Sequence, residues 1–393
     1  MPRADGWGLA VDIGGAWVKA AYWDGRGGVG TLPVLPATVY RDLDGRLLTG
    51  PEAVRLARTA PERAETMPVR SLAEQDEALL GGEPTAPADM VTALLARVLR
   101  DLGPGFGGSR PDALTVVVPS GWGGAERTAL ARAAGAAGLP EPDWLPAPLA
   151  VAAGWAAYRE VPDGTVLAVC DAGATGLRCA RVEPDRAAYE SGDEVACGGA
   201  DLDEVLLALV EARAGAAAGP EGGSEAWERL LNSAGPEGLR ARAQVREDIT
   251  GVRETLSATV SAPLVVPGLG VELLLRRAEF EEAAQEPLNR AGAALRELLD
   301  AGPGASTPLL GGGPGSSAPL GGGARPSAVL LTGGVARTPR LAELLAVDGR
   351  LPELLPDPVN AAVLGAARAR DAPTAPGGGE APYSFPGDDD LFL

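Results

Sequence analysis

Short uninterrupted apolar blocks alternate along the chain with longer stretches in which Ala, Leu and Val recur every three or four positions. The blocks have the length of strands and the periodic stretches the length of helices. The pattern predicts strands at 8–11, 18–23, 114–118, 166–170, 177–182, 264–266, 271–275 and 329–331. It predicts helices at 51–60, 88–101, 124–137, 147–158, 201–213, 225–231, 237–257, 278–300, 339–346 and 359–370. Arg and Glu occupy the remaining faces of these Ala-rich helices, the usual solvated arrangement. Strands interleaved with helices define the α/β class. Two segments lack any period. Residues 302–326 are Gly/Pro/Ser-rich and are expected to form a flexible surface insertion, and residues 372–393, ending in GDDDLFL, a disordered acidic tail. Gly-rich breaks near 102–111 and 214–224 mark loops or joints.

One pattern occurs twice. An apolar strand ends at Asp12, a turn carries Gly14 and Gly15, and a second strand resumes with Lys19. Far downstream, a strand ends at Asp171, a turn carries Gly173, Ala174 and Thr175, and the next strand carries Arg178 at the position equivalent to Lys19. Glycine in such a turn removes the side chain and lets successive backbone N–H groups face one anion. An Asp at the strand end can hold the water shell of a Mg²⁺ ion that bridges phosphate oxygens. Either copy alone is equally a plain hairpin with a turn Asp and Gly; two copies predict two similar lobes facing each other across a phosphate site. A third glycine pair, Gly333-Gly334, follows an apolar strand and leads to Arg337, whose planar guanidinium can stack on a base.

Composition narrows the chemistry. The 393 residues contain no His, which excludes Ser-His-Asp and Cys-His catalysis, His-ligated metals and an imidazole switch. Lys19 is the single lysine; every other basic residue is Arg. A net charge of -19 argues against a nucleic-acid partner. Cys170, Cys179 and Cys197 form no CxxC pair, which fits a reducing cytoplasm, and no apolar run is long enough to predict a membrane span.

With its three glycine turns in this order, the sequence resembles the actin-like ATPase superfamily, and within it the nucleotide-binding domain of DnaK-type heat-shock chaperones. Further segments carry the resemblance. DALTVVVPSGWGGAERTALARAAGAAGL (112–139) is similar to that family's strand, Val-Pro and "AGL" helix, and LPAPLAVAAGWAAY (145–158) falls where the family has its Asn-Glu-Pro-Thr-Ala-Ala-Ala helix. Gly198-Gly199-Ala-Asp201-Leu-Asp203, Val252-Arg253-Glu-Thr-Leu-Ser257 and the stretch from Asp357 to Gly365 match its later motifs in order, so that the likeness covers about residues 6–371.

The resemblance implies two lobes, each a mixed sheet with flanking helices and a smaller inserted subdomain. It divides the chain into 1–168 (insert at 33–112) and 169–371 (insert at 216–300). It implies ATP and Mg²⁺ as ligands. Gly14, Gly15, Gly173, Ala174 and Thr175 would surround the phosphates, with Gly198 and Gly199 nearby and Arg178 in reach of them. Asp12 and Asp171 would be the catalytic, Mg²⁺-positioning pair. Arg253, Ser257, Gly333, Gly334 and Arg337 would hold adenosine.

Departures accompany it. The family's Thr-Thr is Gly15-Ala16, its catalytic lysine falls at Val54 beside Arg55, the Glu of Asn-Glu-Pro is Ala147, and an Asp of the second turn is Arg178. Such groups orient water or neutralise developing charge, and phosphoryl transfer depends on that positioning. Lys19 and Arg55 are substitutes in principle, although a strand-edge cation is the simpler reading of Lys19. No peptide-binding domain can be built from the tail. The expectation is an ATP-binding switch with weak or no hydrolysis and a protein partner; the alternatives are a working ATPase with rewired groups and an actin-like filament former, with a sugar or acetate kinase less favoured.

Overall fold

The computed structural model describes residues 6–70, 72, 77–157, 159–217, 227, 235–266, 271–301 and 325–371. The expected helix at 225–231, the insertion at 302–326 and the tail at 372–393 fall outside them, apart from Trp227, Arg325 and Pro326.

The N-terminal half contains strands β1 (Gly8–Ile13), β2 (Trp17–Trp23), β3 (Val29–Thr31), β4 (Leu35–Pro36), β5 (Val39–Arg41) and β6 (Leu47–Thr49), then helix α1 (Pro51–Ala57). Short strands β7 (Ala64–Glu65), β8 (Ala78–Leu80) and β9 (Glu83–Thr85) lead to α2 (Pro87–Leu102), β10 (Ala113–Val118), α3 (Gly124–Ala136), β11 (Pro142–Pro146) and α4 (Ala147–Ala156). The C-terminal half contains β12 (Leu167–Ala172), β13 (Leu177–Glu183), β14 (Ala188–Ser191), α5 (Gly199–Ala217), α6 (Pro236–Ala258), β15 (Ser261–Val266) and β16 (Val271–Arg276). It continues through α7 (Arg277–Ala283), α8 (Gln285–Asp300), β17 (Ala328–Thr332), α9 (Pro339–Leu344), β18 (Glu353–Leu354) and α10 (Ala361–Asp371).

The main sheets have the same plan. In the first, the order is β11-β10-β1-β2-β3; in the second, β14-β13-β12-β17-β18. In both, the first three strands are antiparallel neighbours and the later two join the first strand's other side in parallel. The sequence repeat is therefore the opening hairpin of each sheet.

Each sheet has an outer and an inner face. Leu9, Val11 and Ile13 pack with α2 and α3 residues such as Met90, Leu94 and Leu130. Ala168, Cys170 and Ala172 pack with α5, α6 and α8. The alternate positions, Ala10 and Ala21 of one sheet and Val169 and Ala180 of the other, share a third core with α4 and α10. These two helices cross between the sheets: α4 lies on β12 and β13, while α10 lies on β1, β2 and β3. Their crossing is tight enough that a Cβ at Gly365 would stand 1.8 Å from the Ala150 carbonyl oxygen.

Three departures from the sequence pattern have simple causes. The helix expected at 278–300 breaks at Ala284 into α7 and α8. Pro287 accounts for the break, since its ring would collide with the carbonyl one turn back in a continuous helix but is tolerated in a first turn. Strand β11 was masked by its two prolines, which are acceptable on a sheet edge. Strands β3–β9 are two or three residues long and too short to show a period. Among the described residues, no helix is long and apolar enough to cross a membrane.

Candidate functional site

A cavity of about 880 Å³ lies between the two halves, within the usual range for small-molecule sites. Strand periodicity explains its floor. Asp12 and Lys19 share the face of Ala10 and Ala21, and Asp171 and Arg178 share that of Val169 and Ala180, so all four charged residues project toward the opposite sheet. Both turns close identically: Gly14 N–H donates to Trp17 O at 3.0 Å, and Gly173 N–H donates to Gly176 O at 2.9 Å. The following N–H groups, of Gly15 and Ala16 and of Ala174 and Thr175, have no hydrogen-bond partner among the described residues. The turns also approach each other, since a Cβ at Gly15 would stand 2.7 Å from the Thr175 methyl carbon. Four unpartnered N–H donors on bare turns at one cavity form a cradle suited to an anion.

The cavity brings together every site residue expected from the sequence except Gly198: Asp12, Gly14, Gly15, Asp171, Gly173, Ala174, Thr175, Arg178, Gly199, Arg253, Ser257, Gly333, Gly334 and Arg337 all line it. Gly198 lies beneath the second turn, where a Cβ would stand 2.3 Å from the Gly176 nitrogen. Helix α5 buttresses the same turn, with Gly199 and Ala200 N–H donating to the carbonyls of Gly173 and Ala174. At the third glycine pair, Gly333 has φ +92° and a Cβ there would stand 2.2 Å from the Ala172 carbonyl, so only glycine fits. Arg337 is exposed at the cavity edge and free to stack. Arg253 is buried, and its Nε donates to Asp203 at 2.6 Å, so α6 and α5 are tied together behind the site.

The two Asp-cation pairs differ in detail. Lys19 Nζ donates to Asp12 Oδ2 at 2.9 Å in a mostly buried ion pair. Burial opposes the Lys19 charge, but the Asp12 charge and hydrogen bond, with a smaller contribution from Asp171, hold its pKa above the ordinary lysine value. Arg178, in register with Asp171, turns away to the Gly192 carbonyl at 3.2 Å and to Glu194 at 3.3 Å. Asp171 therefore keeps no direct partner among the described residues, and burial foremost, with Asp12 and Glu194 adding repulsion, pushes its pKa up to about 6 against the pull of Lys19 and Arg178.

Lys19 and Asp203 are the site residues that sequence reasoning undervalued. Its register with Asp12 was the available signal for Lys19, and the Gly-Gly-x-Asp-x-Asp spacing was the signal for Asp203. Arg55 is exposed and does not line the cavity, so it brings no charge there. Ala147 does line it and offers only a methyl group. Cys170 and Cys179 lie just outside the cavity with sulfurs 3.3 Å apart; all three cysteines are free and buried. Their mutual hydrogen bond and burial raise the Cys170 thiol, and burial pushes Cys197 up to about 12, which keeps both protonated and unreactive.

The cradle's unpartnered N–H groups suit a polyphosphate, and a Cβ at Gly14, Gly15 or Gly333 would collide with Lys19 Nζ, the Thr175 methyl carbon or the Ala172 carbonyl beside it. The aspartates fit a divalent ion less well, because the Asp12 carboxylate already carries the Lys19 ammonium. No protein-family model matches the chain, and no curated protein matches it.

Proposed function

We propose that the chain is a DnaK-like nucleotide-binding protein on the actin-like ATPase plan, with ATP held in this cavity. One observation carries the reading: two equivalent hairpin turns meet at a single cavity, and the residues that line it there carry N–H groups without a hydrogen-bond partner among the described residues. The phosphates would lie in those turns, and the adenosine between the Gly333-Gly334 joint, Arg337 and the Arg253–Ser257 face of α6. The Arg253–Asp203 pair would stiffen that face.

Hydrolysis would be weak or absent. The groups at Ala147 and Val54 cannot orient water, and Arg178 is committed to Glu194. The molecule would then serve as a cytoplasmic switch whose halves close on ATP and present a surface to a protein partner, without nucleic acid. Calorimetric titration of the purified chain with ATP is expected to give micromolar or tighter binding, and radiolabelled ATP no turnover above background. An absence of binding at millimolar ATP would remove the reading; rapid turnover abolished by Asp171→Ala would replace it with a working ATPase.

A further inference from the structure

We propose that this site neutralises the phosphates of its nucleotide with the Lys19 ammonium, and that no divalent cation is required at the aspartates. The proposal rests on the nucleotide reading for its functional meaning, but its structural basis is independent.

The sheet itself delivers Lys19 to Asp12. The two are direct cross-strand partners on β1 and β2, so their side chains leave the same face side by side. The ammonium then rests against the phosphate turn, with Nζ only 2.8 Å from where a Cβ at Gly14 would stand. A compact ammonium is a point charge, unlike the planar guanidinium at every other basic position of this chain. Lys19 thus places an ammonium beside the first turn, paired with Asp12 and close enough to act on Asp171, whereas the other cations lining the cavity are Arg.

Charge counting works against a divalent ion. Two ionised aspartates alone would attract one strongly; with Lys19 between the strands, the three groups together carry a single negative charge. An incoming Mg²⁺ would have to compete with an ammonium tethered beside Asp12 and would be repelled by it. Mg²⁺ also gives up its water reluctantly. Of the other acids lining the cavity, Glu194, which acts on Asp171, is engaged by Arg178, Asp203 by Arg253 and Glu204 by Arg246. Among the described residues, no group of three or more His, Cys, Asp or Glu side chains is placed to hold a metal.

Two measurements on the unaltered protein test this. ATP affinity in EDTA is expected to lie within about threefold of that in excess Mg²⁺; a loss of about tenfold or more in EDTA overturns the proposal. Mn²⁺ titrated without nucleotide and followed by electron paramagnetic resonance is expected to find no stoichiometric site. One tight Mn²⁺ removed by Asp12→Asn or Asp171→Asn overturns it.

Lys19→Met keeps the stem and deletes the charge. It is expected to gain one Mn²⁺ site, and to make ATP binding fall about tenfold in EDTA with recovery in Mg²⁺. A folded variant that gains neither property counts against the proposal, and if it does not fold the two measurements on the unaltered chain decide. Should ATP bind under neither condition, the nucleotide reading fails, while the Mn²⁺ result still judges Lys19.

Discussion

The two opening hairpins share strand order, turn closure and an Asp-cation register, yet they have been put to different uses. In the first, Asp12 and Lys19 close on one another, and the turn is held from outside by Ala37 N–H donating to the Ala16 carbonyl at 2.9 Å. In the second, Arg178 is drawn to Glu194 and Gly192, Asp171 is left without a direct partner among the described residues, and the turn is braced by Gly198 and the start of α5. The backbone is conserved between the copies while the electrostatics are not. One hairpin supplies a fixed positive charge, and the other a carboxylate that responds to its surroundings.

The largest expected effect tests the difference in bracing. Gly198→Ala would drive a methyl group into backbone atoms of the second turn, 2.3 Å from Gly176 N and 2.6 Å from Thr175 C. It is expected to cost about 3 kcal/mol or to abolish soluble protein. Gly15→Ala meets only the Thr175 methyl carbon, at 2.7 Å, which a side-chain rotation relieves. Its cost is expected to be about 1 kcal/mol, read by urea unfolding of both variants. Equal losses would show the two turns to be supported alike.

Next comes a pair of opposite signs. Asp12→Asn strands the Lys19 ammonium in a mostly buried position and is expected to destabilise the protein by about 2–3 kcal/mol. Asp171→Asn removes a carboxylate that is costly to ionise, and is expected to stabilise by about 1 kcal/mol at neutral pH. The direction with pH follows from a folded pKa of about 6 against an ordinary aspartate's 3.8. The folded state holds this proton more firmly, so the group's contribution to stability falls as pH rises from about 4 to about 6 and is constant above. The advantage of Asp171→Asn should accordingly shrink as pH is lowered through 6 and disappear below about 4. A destabilised Asp171→Asn at pH 8 would mean that its carboxylate has a partner as firm as that of Asp12.

The smallest effect concerns contacts that bring the halves together elsewhere. Arg58, just after α1, pairs with Glu247 of α6, and Arg240 donates to the Thr59 carbonyl at 2.6 Å. The pair is exposed, so Arg58→Ala is expected to change stability by less than about 1 kcal/mol. If the cavity holds ATP as proposed, release of a fluorescent ATP analogue, followed by stopped flow, is nevertheless expected to accelerate several-fold. An unchanged rate would mean that the floor of the cavity alone sets nucleotide retention.

Much of this arrangement was legible in the sequence because it depends on local pattern. The repeated Asp-x-Gly hairpin fixed both turns, and period two placed each Asp with the inward-facing residues of its strand. The site glycines were legible for the same reason, since a bare turn leaves a composition signature. What escaped depends on direction across space. Nothing in the spelling of β2 and β13 distinguishes a Lys19 that reaches its register partner from an Arg178 that turns to a glutamate sixteen residues on. The partnership of Asp203 with Arg253 likewise joins two helices whose packing no single-strand or single-helix period reveals. The short strands β3–β9 were lost because two or three residues cannot display an alternation.

The crossing of α4 and α10 has a consequence for how the protein is made. The helix that covers the inner face of the first sheet is Ala361–Asp371, synthesised some 340 residues after β2. Until it leaves the ribosome, Ala10, Ala21 and Trp23 lack their lid, and the N-terminal half cannot finish as a separate unit. Fragments ending before Ala361 should therefore need a holding chaperone, and the N-terminal half should mature only once Ala361–Asp371 has left the ribosome. Gly365 would then be a late checkpoint of assembly, because any side chain there meets the Ala150 carbonyl at the moment the two halves lock.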